Sequence, residues 1–359
     1  MSERILISGA FGDGQYRFGF FERIAEAMEH DGITVERFNA FGFNRPIGGV
    51  AKLLERLVTL PGRWLGVDKQ RLRAALPWTP AGRREHALLA AVRAFRPDTL
   101  VVIRGFAHRA RTLRRCREMG VRTLVGWYVE GPLDRGLPEL ESLPYDRFYC
   151  IHSEIAPAFR ERIGLLPSYG LDTLSFSRLR WPRVVRDRIV FVGTPTARRV
   201  QFLGALAGLP LDLWGPGWDR MDALAAHHRG NSVWGPSLNA LYNDSAIVLN
   251  VASWGNHLSG MTQRVLEIPA SGAFMLTDDA PEVRPLLELG VEMDVFASPA
   301  HLRAQCERYL ADASLREAIA DRGHRRALTH GDFTFAARVL SGRLPAPTPA
   351  ARPDRKSVV

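Results

Sequence analysis

Arg264 and Glu267 stand three residues apart in Ser259–Asp279, SGMTQRVLEIPASGAFMLTDD, a stretch that predicts a helix start, a short helix, a stop at Gly272 and a strand. With the helix beginning near Thr262, both side chains share one face. The first-turn amides there have no intrahelical acceptor and carry partial positive charge. An arginine beside such amides suits a diphosphate, which it can grip through a bidentate, charge-assisted contact. A glutamate on the same face can accept hydrogen bonds from two vicinal hydroxyls, such as those of a ribose. Together they describe a site for a nucleotide-linked sugar. An ion pair on an ordinary surface helix has the same two residues, and Pro269 inside the segment calls for a helix that is short or kinked.

The elements around this pair are what give it weight. A strand at Ala246–Val251 carries Asn250, a loop holds Asn256 and His257, Gly260 and Thr262 lead into the helix, and an apolar strand at Ala273–Thr277 runs into Asp278–Glu282. The ordered set Tyr242–Asn250 (YNDSAIVLN), Arg264–Gly272 (RVLEIPASG), Glu288–Phe296 (ELGVEMDVF), Tyr309–Asp312 with Arg316 and Ile319–Gly323, and the ending His330–Arg338 resembles the CgeB-like (spore protein YkvP/CgeB) glycosyltransferases of the wider GT-B group. The resemblance covers most of the C-terminal half and, more loosely, the N-terminal half. It implies an α/β chain of GT-B fold, with two Rossmann-like lobes whose parallel sheets face an interdomain cleft. It also implies transfer of a sugar from a nucleotide-diphosphate sugar to a hydroxyl of a glycan, lipid-linked or protein acceptor, with no metal and no cofactor beyond the donor itself. The donor-binding set it suggests is Gly193, Thr194 and the pair Arg198–Arg199 after the strand Arg188–Gly193; Trp234 and Gly235, where the nucleobase is received; and Asn250, His257, Gly260, Thr262, Arg264 and Glu267. One departure matters: retaining enzymes of the large family-4 type carry a second glutamate eight positions before the one matched by Glu267, and here that position is Ser259. The stereochemical inference therefore does not carry over.

The N-terminal half alternates strand and helix, which indicates a parallel sheet. A strand at Arg4–Ser8 passes into a loop with Gly9, Gly12 and Gly14, whose spacing is not GxGxxG, so NAD binding is not expected. Asp13 in that loop and Glu130 in Trp127–Pro132 (WYVEGP) both follow strands, at the carboxyl ends where open α/β sheets bind ligands. They are the candidate catalytic bases for deprotonating an acceptor hydroxyl; a turn role also suits Asp13. His152 and Glu154 occupy an equivalent position one unit later. The expected domains are 1–172 for the acceptor, a linker at 173–187, 188–332 for the nucleotide sugar, a helix at 333–343 crossing back to the first lobe, and a disordered Pro/Ala-rich tail at 344–359.

A chain of 359 residues with 46% hydrophobic and 24% charged content suits two globular domains. Cys116, Cys150 and Cys306 are few, odd in number and widely spaced, which points to a reducing compartment and away from a zinc site or a disulfide frame. The first residues read as no secretory signal, and no apolar run is long enough for a bilayer span. The expected location is cytoplasmic. The net charge of +10 is uneven: residues 45–122 hold 18 Lys/Arg against 5 Asp/Glu. That surplus, with an amphipathic basic pattern over Ile47–Leu76, suits peripheral contact with an anionic membrane face or a lipid-diphosphate acceptor. A competing class is a non-enzymatic nucleic-acid or envelope-surface binder using the segment 45–122, although no helix-turn-helix or RNP signature supports nucleic acid. A nucleotide-sugar epimerase or hydrolase on the same fold is a third reading.

Overall fold

The computed structural model describes residues 2–11, 19–43, 76, 78–129, 142–153, 163–166, 170–180, 182, 184–253, 260–329 and 333–345. They form two compact units. Unit 1 holds the described residues up to Cys150, those within Ile155–Leu166 and those from Ala336 onward; unit 2 holds Ile151–Glu154 and Pro167–Phe335 as far as described.

Unit 1 is built on six parallel strands, β1 (Arg4–Gly9), β2 (Thr34–Asn39), β3 (Thr99–Ile103), β4 (Thr123–Tyr128), β5 (Arg147–Cys150) and β6 (Ile163–Leu165). They lie in the order β2-β1-β3-β4-β5-β6. With them come helices α1 (Phe20–His30), α2 (Pro80–Phe95) and α3 (Ala110–Glu118). β3 is buried at all five positions, as a strand covered on both faces requires. The amphipathic reading of Ile47–Leu76 falls outside the described residues, apart from Leu76. It also stops short of α2, whose signals are local: the Thr79 hydroxyl accepts from the Gly82 amide at 3.0 Å, and Pro80 takes the first helical position, where its missing N–H costs nothing.

Unit 2 repeats the plan with β7 (Arg186–Val192), β8 (Leu211–Trp214), β9 (His228–Gly230), β10 (Ser245–Asn250), β11 (Met275–Asp278) and β12 (Asp294–Phe296), all parallel in the order β12-β11-β10-β7-β8-β9. Its α-helices are α4 (Ala197–Gly204), α5 (Gly235–Asn243), α6 (Arg264–Ala270), α7 (Pro299–Ala311) and α8 (Ala313–Leu328). One core layer joins Val190, Val248 and Met275 of the sheet to Val265, Leu266 and Ile268 of α6; the opposite layer joins Phe191, Leu249 and Leu276 to Leu302 and Tyr309 of α7. The last helix, α9 (Thr334–Ser341), carries Arg338, which grips Asp31 after α1 with both oxygens at 2.7 and 3.0 Å.

Helix α6 has seven residues and Pro269 at its sixth, so it is short, as the proline demands. Its position rests on α8. A Cβ added at Gly323 of α8 would lie 2.3 Å from the Glu292 carbonyl oxygen and 3.7 Å from Pro269 Cβ. Gly323→Ala therefore overpacks backbone against backbone. It should destabilise the chain by about 1–3 kcal/mol in chemical denaturation, and an unchanged midpoint would show that α8 approaches the Glu292 backbone less closely.

Candidate functional site

In unit 2 the chain leaves β7 toward β8 and β9 on one side and returns with β10, β11 and β12 on the other, so the strand order reverses between β7 and β10. Open parallel sheets bind ligands outside the carboxyl ends of the strands at such a reversal. Arg199 spans it. The Thr196 hydroxyl caps α4 by accepting the Arg199 amide at 3.3 Å, which fixes the phase of the helix. Arg199 is 5% exposed; its Nε donates to the Val251 carbonyl after β10 and its Nη1 to the Thr194 carbonyl after β7, both at 2.9 Å. Burial, joined by the charge of Arg264 and opposed by that of Asp278, pushes the Arg199 guanidinium down to about 10. It is a cation at neutral pH whose charge its surroundings leave partly unmatched.

Arg198, which the resemblance marks for phosphate along with Arg199, pairs with a carboxylate. Its guanidinium lies over the Phe202 ring, 4.0 Å from the centroid, and pairs with Asp278 at the end of β11. Asp278 is buried, also accepts the Ala252 amide at 2.5 Å, and has its carboxyl raised by burial against the pull of that amide and of Arg198. Adjacent positions on a helix are separated by about 100°, so when Arg199 faces the reversal Arg198 faces β11.

The helix expected near Thr262 begins at Arg264. The amides of Val265, Leu266 and Glu267 donate to the carbonyls of Thr262 and Gln263 at 3.1, 3.0 and 3.2 Å. These bonds close a turn that starts at Thr262, where the helix start is expected, and the Glu267 amide already bonds four residues back. Glu267 is 6% exposed and its carboxyl is pushed up to about 7, chiefly by burial, with Arg264 pulling down and Asp172 adding to the rise. Tyr242, fully buried, lies within reach of both charges, and burial raises its phenol.

The Thr262 hydroxyl donates to Asn250 Oδ1 at 2.9 Å, and Asn250 Nδ2 donates to Thr277 Oγ1 at 2.9 Å. These two candidates thus tie β10, β11 and the segment before α6 together. Gly260 has φ +98, and a Cβ there would lie 2.4 Å from the His152 ring, so this glycine admits a buried imidazole beside the segment. Trp234 precedes α5 and is 39% exposed, and Gly235 opens that helix with φ +54. Gly193 and Thr194 lie just beyond β7, the first with its carbonyl accepting Trp218 Nε1 at 2.6 Å. Asp13, Glu130 and His257 lie outside the described residues. The structure thus brings Arg264 and Glu267 together with Arg199, which the sequence marks along with Arg198, and with Asp278 and Tyr242, two residues absent from the candidate set.

Residues 198–340 match the sequence profile of the glycosyl transferase-like family. No curated protein sequence matches the chain. Among solved structures it is similar to Alr3699/HepE of Anabaena, determined with UDP and glucose, at 13% identity, TM-score 0.61, covering 95% of this chain and 99% of that one. It is also similar to the sucrose-phosphate synthase of Thermosynechococcus elongatus, at 13% identity, TM-score 0.64 and coverage of 95% and 98%. A glycosyltransferase from Rickettsia africae aligns at 11% identity, TM-score 0.61, over 94% and 96%. The fold is that of the GT-B group. The family match over residues 198–340 and this fold both support a glycosyltransferase.

Because the ordinary value for a glutamate is 4.5 and Glu267 sits near 7, the folded chain keeps a proton across that window that the unfolded chain has released. Stability from this group therefore falls as pH rises from about 4.5 to about 7, by about 3 kcal/mol in all. Glu267→Gln has no such proton. Its melting temperature relative to the parent should rise by roughly 5–10 °C between pH 4.5 and pH 8, whereas parallel pH profiles would place the Glu267 carboxyl in contact with water.

Proposed function

We propose that this chain is a CgeB-like glycosyltransferase that moves a sugar from a nucleoside-diphosphate sugar to a hydroxyl acceptor without a metal ion, within polysaccharide biosynthesis, on the cytoplasmic side of the membrane. The observation that carries this reading is the cluster at the reversal of unit 2. Three guanidiniums, Arg198, Arg199 and Arg264, stand against Asp278 and a Glu267 that is half neutral near pH 7. Excess positive charge in a buried place is costly unless an anion completes it, and a diphosphate is the anion of matching charge and span.

The reaction needs what this cluster offers. As the bond from the anomeric carbon to the diphosphate breaks, negative charge grows on the leaving oxygen. Fixed cations in a low-dielectric site stabilise that growth without reorganising. Arg199 and Arg264 are assigned to the diphosphate, with Arg198 holding Asp278 so that the carboxylate does not collapse onto Arg199. Glu267 takes the vicinal hydroxyls of the ribose, which favour its ionised form by donating to it. Gly193 and Thr194, just beyond β7, and Trp234 and Gly235, at the start of α5, are assigned to the nucleoside. An inverting course would need a base from elsewhere in the chain, and Asp13 and Glu130 remain the assigned candidates for it. UDP-glucose is the first donor to test, because the Anabaena neighbour was solved with it.

Arg199→Met and Arg264→Ala should each lower kcat about a hundredfold while the proteins stay folded. UDP, GDP, TDP or CMP, whichever is the right nucleotide, should raise the melting temperature of the parent and not of Arg199→Met. Turnover and nucleotide-dependent stabilisation that survive both substitutions would remove the proposal.

A further inference from the structure

Helices α2 and α3 lie side by side on one layer of the unit 1 sheet: Leu88 and Val92 of the first and Leu113 and Cys116 of the second share a core with Leu100 and Leu124. Their outer sides therefore adjoin. The sequence puts three arginines in α2 and four in α3, against one glutamate in each, and the α2 glutamate, Glu85, is buried. Arg93 on α2, Arg96 just after it and Arg111 on α3 are exposed, and among the described residues none pairs with or accepts from their guanidiniums. Arg114, also exposed, donates to the Ser142 carbonyl at 3.1 Å, a neutral partner that leaves its charge unmatched. Arg115 and Arg117 stand by Glu118 and Asp146. Four exposed cations on this face thus have no carboxylate.

An arginine-rich composition alone would leave both units with such a face. On α7 and α8 of unit 2, however, the outward arginines stand by carboxylates: Arg303 by Glu307 at 2.9 Å, Arg308 by Asp294 at 4.0 Å, Arg325 by Asp321, and Arg326 by Glu292 at 3.9 Å. The unmatched charge is therefore particular to α2 and α3. Like charges gathered this way repel one another and cost the folded chain a little, a cost that an anionic partner removes. A guanidinium can meet two oxygens of one phosphate, and several of them spread over two helices suit a plane of headgroups rather than a single small ligand. Neither helix exposes a Phe, Tyr or Trp, the platform on which the bases of a single strand would stack.

We propose that the outer face of α2 and α3 docks on the anionic headgroups of a lipid bilayer through Arg93, Arg96, Arg111 and Arg114. All four lie in residues 45–122, the segment that holds 18 Lys/Arg against 5 Asp/Glu. The attraction is electrostatic, so it adds up over the arginines and fades within a Debye length of about 8 Å at physiological salt. It makes no use of what unit 2 binds. The inference therefore goes beyond the transferase reading and stands or falls without it.

The test is flotation of the full chain with vesicles of phosphatidylcholine, alone or mixed with phosphatidylglycerol, at low and at high salt. The mixed vesicles should bind the parent about tenfold tighter or more, and the difference should vanish at high salt. Arg93→Ser, Arg111→Ser and Arg114→Ser should each weaken that binding about fivefold, and the triple variant roughly a hundredfold. Their melting temperatures should stay close to the parent's, because none of the three guanidiniums meets a carboxylate. A triple variant with the same loss of charge in unit 2, Arg284→Ser with Arg325→Ser and Arg326→Ser, should keep most of the binding, which separates this face from net charge. Equal binding of the parent to both kinds of vesicle, unchanged binding by the α2–α3 triple variant, or equal losses in the two triple variants overturns the inference. So does a single-stranded RNA that the parent binds more tightly than the mixed vesicles and that the α2–α3 triple variant releases, a result that assigns the face to nucleic acid instead.

Discussion

A guanidinium that donates to the carbonyls closing two neighbouring strands, while its charge stays partly unmatched, is the constraint on which unit 2 depends. Arg199 ties the ends of β7 and β10 through Thr194 and Val251. That contact satisfies two backbone carbonyls which the reversal of strand order leaves without a sheet partner. It also imposes a cost, since a cation buried this far is desolvated and feels Arg264. Asp278 offsets part of the cost, but Arg198 takes most of that carboxylate's attention. The fold therefore holds a local excess of positive charge in place by hydrogen bonds that do not neutralise it. Such an arrangement destabilises the empty chain slightly and favours an anion strongly, which is how preorganised electrostatic sites work.

The rest of unit 2 can be understood as support for this point. Thr196 sets the phase of α4 so that Arg199 turns inward. The Thr262–Asn250–Thr277 chain fastens the segment before α6 to β10 and β11, which keeps Arg264 near the reversal. Pro269 and Gly272, φ +79, end α6 early, and α8 packs behind it through Gly323 and His324, whose Nδ1 meets the Ala270 carbonyl at 2.9 Å. Unit 1 uses the same topological device with different chemistry: its strand order reverses between β1 and β3, where a buried chain of Ser8, His108 and Glu85 ties β1 to α2.

Much of this order was legible in the sequence. Buried runs such as Ile189–Val192 and Ala246–Asn250, alternating with helical patterns, specify parallel strands and crossovers, and the segment RVLEIPASG carries the Arg/Glu pair in short compass. What was not legible depends on phase and on contacts distant in the chain. Arg198 and Arg199 are adjacent and chemically identical as letters; only the N-cap at Thr196 decides which faces the crevice. Asn250 and Thr262 read as ligand contacts, and the sequence gives no sign that the Thr262 hydroxyl donates to Asn250 Oδ1 while Asn250 Nδ2 donates to Thr277 Oγ1. Ser8, Glu85 and His108 lie up to a hundred positions apart, so no local pattern joins them.

The central claim is that the unmatched charge of Arg199 and Arg264 is completed by the diphosphate of a nucleotide. A crystal structure of the full chain with bound UDP tests it most directly. The account predicts diphosphate oxygens about 2.7–3.2 Å from the guanidiniums of both Arg199 and Arg264, with the ribose hydroxyls on Glu267. A diphosphate bound away from the carboxyl ends of β7 and β10, with those two arginines unmoved and untouched, would contradict it.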